Sequence, residues 1–137
     1  MANATNTLKN ELAGIYVLGN ASRAATTTWH VGLFTGVLDA AGTNIGTEVS
    51  GNGYSRLALS ASDLSNTNGL VSNTAILQFP QASGGSWGTI QSIGIFQHAT
   101  DNAASDLFWF EVLDSSVIVN NGDFFQFNVA GITWTIS

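Results

Sequence analysis

The residues with the widest chemical range gather in one stretch, TEVSGNGYSRLAL, Thr47 to Leu59, which holds Glu48, Ser50, Tyr54 and Arg56 around a Gly51-Asn52-Gly53 triplet. A glycine-rich loop that cradles phosphate does so by opening a helix whose first amides face the anion. Here a strand-like YSRLALS follows, so that chemistry lacks its context. Ser50 before Gly51 likewise lacks the strand-to-helix turn of a nucleophile elbow. What remains is a structural turn. Asn52-Gly53 can take positive φ, which would bring Glu48 back beside the strand that begins at Tyr54. Arg56 would then satisfy Glu48 or a set of loop carbonyls. Glu48, Gly51, Gly53, Tyr54 and Arg56 are therefore read as a turn and clasp.

The other reactive side chains are scattered. His30 sits in WHVG inside a strand-like run and reads as a satisfied sheet residue, while His98 in FQHATDN begins a loop. Neither belongs to an H-x-H or H-E-x-x-H pattern, and with no cysteine no metal or cofactor site is expected. Glu111 and Asp114 are the one carboxylate pair to consider for glycoside chemistry, and nothing in the pattern places them across a cleft. The expectation is a protein that is not an enzyme, with no catalytic, cofactor-binding or metal residues.

These residues must be carried by elements legible from periodicity. Leu8, Leu12, Ile15 and Tyr16 recur at helical spacing, with Asn6 as N-cap and Gly19-Asn20 as the stop. Gly14 within that helix costs about 1 kcal/mol relative to Ala. The stripe either packs on the chain's own sheet or docks on a neighbouring subunit. From Thr28 the chain reads as strands at 28–35, 54–60, 74–80, 89–97, 107–113, 116–119, 123–129 and 132–136, separated by turn-forming runs such as SNTNG at 65–69 and NNGD at 120–123. Pro80 ends its strand. About eight short strands without intervening helices predict a mainly β fold, an antiparallel β-sandwich or jelly-roll-like barrel with one N-terminal α-helix. ITWTI places Ile132, Trp134 and Ile136 on one face. LFWFEVL sets Leu107, Trp109, Glu111 and Leu113 against Phe108, Phe110 and Val112, so both faces are largely apolar. Either this is a strand covered on both sides, or one face meets a partner.

At 137 residues the chain reads as a single domain, 1–137, with an arm and helix over 1–20 and the sandwich over 28–137. Three basic residues (Lys9, Arg23, Arg56) against nine acidic ones argue against nucleic acid as a partner. The N-terminus lacks the pattern of a signal peptide, and no apolar run approaches a membrane span of roughly 20 residues. Charged residues make up only 9% of the chain, so its surface must be built from Ser, Thr, Asn, Gln, Ala and Gly, which suits permanent assembly.

The order LKNELAG, TTTWHVGLFTG, GTEVSGNGYSR, NTAILQFPQAS, SWGTIQSIGIFQ and VNNGDFFQFNVAGITWTI resembles a family of short bacteriophage virion structural proteins, often labelled tail-fibre-like. The likeness runs from Leu8 to Ile136. Glu48, Val49, Gly51, Gly53, Tyr54 and Arg56 fall on its EVSGGGYAR pattern. Trp87, Gly88, Gly94, Ile95 and Phe96 fall on its WG...GIF pattern, Gly122 and Asp123 on its GD, and Gly131 on its AG. The chain departs from the pattern at Gln97-His98 and in TDNAASDLFW, within one hairpin loop.

The resemblance implies a structural protein at the surface of the phage particle, assembled in the host cytoplasm and without catalytic residues. Its first expected role is capsid decoration, a cement protein that forms a dimer or trimer on the head and bridges copies of the major capsid protein. The alternative is a tail fibre or baseplate-associated module that contacts the host surface. Partners are other virion proteins, not nucleic acid or membrane. Candidate interface residues are Leu8, Leu12 and Ile15 on the helix, Phe108 and Phe110 on the doubly apolar strand, and Phe124 beside Phe125. Trp87 is either a sugar-binding aromatic or a cap on the sandwich.

Overall fold

The computed structural model describes residues 2–21 and 28–135; Arg23 and Ile136 lie outside them. The chain is mainly β, with antiparallel sheets and one helix near the N-terminus. It opens with a short strand β1 (Asn3–Ala4) and helix α1 (Asn6–Tyr16). The strands that follow are β2 (Thr28–Phe34), β3 (Leu57–Ser60), β4 (Leu64–Thr67), β5 (Leu70–Asn73) and β6 (Leu77–Gln78). The last four are β7 (Gly88–Phe96), β8 (Leu107–Val119), β9 (Gln126–Phe127) and β10 (Thr133–Thr135). They form a five-stranded sheet β1-β8-β7-β2-β3, a three-stranded sheet β10-β5-β4 and a pair β6-β9. A parallel bridge from Ala2 to Trp134 joins the first sheet to the second.

Thr5, not Asn6, caps α1: its Oγ1 accepts from the Leu8 amide at 3.3 Å, and its own amide donates to the Phe108 carbonyl at 3.0 Å. The cap thus ties the helix start to β8. Gly19 closes the other end at φ +70, where the Asn20 amide reaches the Gly14 carbonyl at 2.9 Å. Leu8 is buried in the main core and half-buried Leu12 packs against it, so this part of the stripe covers the chain's own sheet and Leu8 is withdrawn from the candidate interface. Ile15 is half-buried. Tyr16, expected on the stripe, is 81% exposed, as are Val17 (78%) and Leu18 (74%), because the packed part of the helix ends before them.

Several strand bounds differ from the periodicity. Tyr54–Arg56 precede β3 because β2 is paired with β3 only from Val31 to Thr28. The expected runs 74–80 and 123–129 pair as strands only at Leu77 with Phe127 and Gln78 with Gln126. Pro80 has no amide to continue that ladder. Conversely, SNTNG is not merely a turn: Asn68 (φ 54) and Gly69 (φ 84) form the two-residue link of the hairpin β4-β5. Its polar residues concealed the strands. The described residues hold ten strands in place of about eight.

β8 joins two expected strands into one. The break foreseen near Asp114 survives as a register shift: Ser92 pairs with Val112 and Ile90 with Val117, two residues on β7 against five on β8. A second shift lies between Ile95, paired with Trp109, and Phe96, paired with Leu107, leaving Phe108 as the extra residue of a bulge. Strict alternation therefore fails at this point. Phe108 and Trp109 both enter the main core, while Leu107 and Phe110 join a second cluster with Phe34, Leu38 and Phe96 on the other side of the sheet. The strand is covered on both sides over 107–110. Phe108 is buried, contrary to its place among the interface candidates, while Phe110 is half-buried. Beyond the shift Val117 and Ile118 are exposed.

Candidate functional site

The GNG triplet is a run of left-handed backbone, with Gly51 at φ 72, Asn52 at 51 and Gly53 at 77. The Tyr54 amide closes the turn on the Gly51 carbonyl at 3.0 Å. Gly53 is needed for space as well, since a Cβ there would come within 2.7 Å of Ser83 Oγ and 3.1 Å of the Gln81 carbonyl. Asn52 ties the turn to the neighbouring loop, donating from Nδ2 to the Ser86 carbonyl at 3.0 Å and accepting the Trp87 Nε1 proton at 2.9 Å.

Glu48 and Arg56 meet in the clasp. Arg56 Nε donates to Oε1 at 2.7 Å and Nη2 to Oε2 at 2.8 Å, a two-pronged ion pair with side chains 2% and 13% exposed. The third prong, Nη1, donates to the His98 carbonyl at 2.8 Å, and the guanidinium carbon lies 3.7 Å above the centre of the Phe96 ring. Tyr54 adds a further donor to Oε1 at 2.8 Å while its oxygen accepts the Leu33 amide at 3.0 Å. Leu33 is beyond the reach of β3, so this phenol takes the place of a missing sheet partner. Burial first, and then the Glu48 carboxylate, push the Tyr54 phenol well above its ordinary range.

The sheet beneath the clasp is hollowed by a cross-strand glycine pair, Gly32 with Gly94. A Cβ on Gly32 would stand 2.8 Å from Glu48 Oε1, and one on Gly94 would stand 2.7 Å from Leu107 Cδ1. The carboxylate and the rings of Phe34 and Phe96 occupy the space that two methyl groups would fill. A cleft of about 290 Å³ opens over the motif, lined by Glu48, Ser50, Tyr54, Arg56, Ala99 and Thr100 among others. Its carboxylate already accepts three hydrogen bonds and its phenol is held protonated. These groups can lock a backbone; they are not poised to move a proton.

The remaining candidates separate. Trp87 is buried, edge-on to Tyr54 at 5.3 Å, which overturns its role as an exposed sugar platform and leaves it as a cap on the core. Glu111 is half-buried on β8 and Asp114 is exposed at the register shift. His30, in β2, has its pKa lowered by burial and then by the charges of Arg56 and His98. Phe124 is 53% exposed, whereas Phe125 is buried. His98 is not isolated, as its sequence context implied: Asp106 and Asp101 lie within 2.7 and 3.5 Å of its Nδ1. The residues are three and eight positions away in a loop, where no periodicity foretells convergence.

Compared with known proteins, residues 3–135 match the model of a family described as Gp80, podophage GP4 fiber I protein gp80. Comparison with curated proteins returns no match.

Proposed function

The chain belongs to the podophage GP4 fiber I protein gp80 family, whose model it matches from residue 3 to 135, and on that premise we propose that it is a non-enzymatic module of a phage fibre. As a member of a phage virion structural family, it is a virion protein that interacts with other virion proteins. The match carries this reading, and the site agrees with it, because its ionisable groups are spent on one another. Among the described residues no helix is long and apolar enough to cross a membrane.

The fibre reading stands ahead of capsid decoration because the matched family is described by a fibre. Oligomers of two or three chains would repeat modest contacts by symmetry. Phe124 is the interface candidate that stays exposed, and Tyr16, Val17 and Leu18 add apolar surface at the end of α1. Quantifying the protein in particles separated into heads and tails tests the assignment. A few copies that co-purify with tails are expected. Hundreds of copies retained on DNA-filled heads would instead establish the decoration role and its major capsid protein partner.

A further inference from the structure

The loop from β7 to β8, residues 97–106, gathers three side chains able to hold a metal. His98 Nδ1 lies 2.7 Å from Asp106 Oδ2 and 3.5 Å from Asp101 Oδ2, and the three candidate ligand atoms all fall within 4.8 Å of one another. Zinc binds nitrogen and carboxylate oxygen at about 2.0–2.2 Å, so ligand atoms around one ion stand about 3 Å apart. The two distances from Nδ1 already lie near that spacing.

The arrangement extends beyond a single His–Asp pair, because two carboxylates approach the same ring nitrogen. A ring nitrogen carries at most one proton and donates it in one direction. Asp106, the nearer at 2.7 Å, takes that position, and Asp101 stands 3.5 Å from the same nitrogen. A divalent cation among the three would be held by all of them at once. The loop is also braced. Arg56 Nη1 holds the His98 carbonyl at 2.8 Å, Thr7 Oγ1 donates to the Ala104 carbonyl at 2.9 Å, and the Asp106 amide donates to the Ala103 carbonyl at 3.0 Å. Asp106 has a side chain only 8% exposed, while His98 at 54% and Asp101 at 64% leave a way in from solvent. A rigid buried ligand with two accessible ones is a preorganised arrangement.

We propose that His98, Asp101 and Asp106 form a zinc-class divalent metal site that pins the β7–β8 loop, with its remaining coordination positions open to water. The imidazole among the ligands favours a first-row transition ion of this kind over calcium, which takes oxygen ligands.

The test titrates the tag-free full chain, cleared of metal by chelation, with zinc chloride, using calorimetry and native mass spectrometry. One zinc ion per chain and a raised melting midpoint are expected, with no such rise for calcium at the same concentration. Asp101→Asn, at an exposed position, should leave the metal-free midpoint near that of wild type and weaken zinc binding about tenfold or more; His98→Gln should weaken it at least as much. Absence of stoichiometric zinc, unchanged affinity in Asp101→Asn, or equal stabilisation by calcium would each overturn the proposal.

Discussion

Replacing Arg56 with Ala tests the central structural claim. The guanidinium is 2% exposed and its partner carboxylate 13%, so truncation leaves Glu48 with the Tyr54 hydroxyl as its remaining donor among the clasp residues. Breaking a buried pair by removing one member typically costs about 3–5 kcal/mol, mostly because the remaining charge is uncompensated. The lost contact with the Phe96 ring and the freed His98 carbonyl are contained in that figure, since contributions from one network do not add. For a chain of this size the loss corresponds to a fall in melting midpoint on the order of 10–20 °C. Urea unfolding followed by tryptophan fluorescence, alongside a thermal melt, reads both quantities. Arg56→Lys keeps the charge but not the planar fork and should fall between Ala and wild type. The pair Glu48→Gln with Arg56→Met removes both charges and should regain a large part of what Arg56→Ala loses. A midpoint for Arg56→Ala within about 3 °C of wild type, under roughly 1 kcal/mol, would refute the clasp as a structural element.

Tyr54 gives a pH signature. Its phenol is neutral in the fold and its pKa is raised, so in alkali the unfolded chain loses the proton first and stability should fall as pH rises above the unfolded value of 10.0. Tyr54→Phe should flatten that fall while costing about 1–3 kcal/mol at neutral pH, because the buried Leu33 amide loses its acceptor; equal alkaline slopes in the two proteins would contradict the assignment. Gly94→Ala should cost about 1–3 kcal/mol by overpacking Leu107, Phe96 and Phe34, measured by urea unfolding. Deleting residues 1–18 removes the strand paired with Trp109 and Phe110 along with buried Ala4, Thr5 and Leu8, and should yield a chain without a cooperative melt. A truncated protein that melts cooperatively near the wild-type midpoint would show the helix to be an accessory arm.

Much of the clasp was legible because Arg56 is one of only three basic residues and stands across a glycine turn from Glu48. The glycines at 51 and 53 announced the turn through their conformational freedom. Trp87 was not legible: its GGSWG context looks like an exposed loop, yet the chain folds it edge-on to Tyr54 and lets it donate to the Asn52 carbonyl. The β4-β5 hairpin was hidden for the opposite reason. Its residues are too polar to alternate, and Asn68-Gly69 alone marked it.

The sequence by itself determined the class of the fold. Alternating apolar residues, turn formers at short intervals and one helical stripe leave few options other than antiparallel sheet with an N-terminal helix, because those signals are local consequences of backbone sterics and side-chain periodicity. Tertiary structure decided which faces those residues occupy. A single extra residue at Phe108 moves its neighbours between two clusters, and β1 joins β8 across more than a hundred positions of sequence. It also decided that His98, Asp101 and Asp106 converge. Register, bulges and loop paths depend on contacts between distant segments, and no pattern within one segment encodes where another will lie.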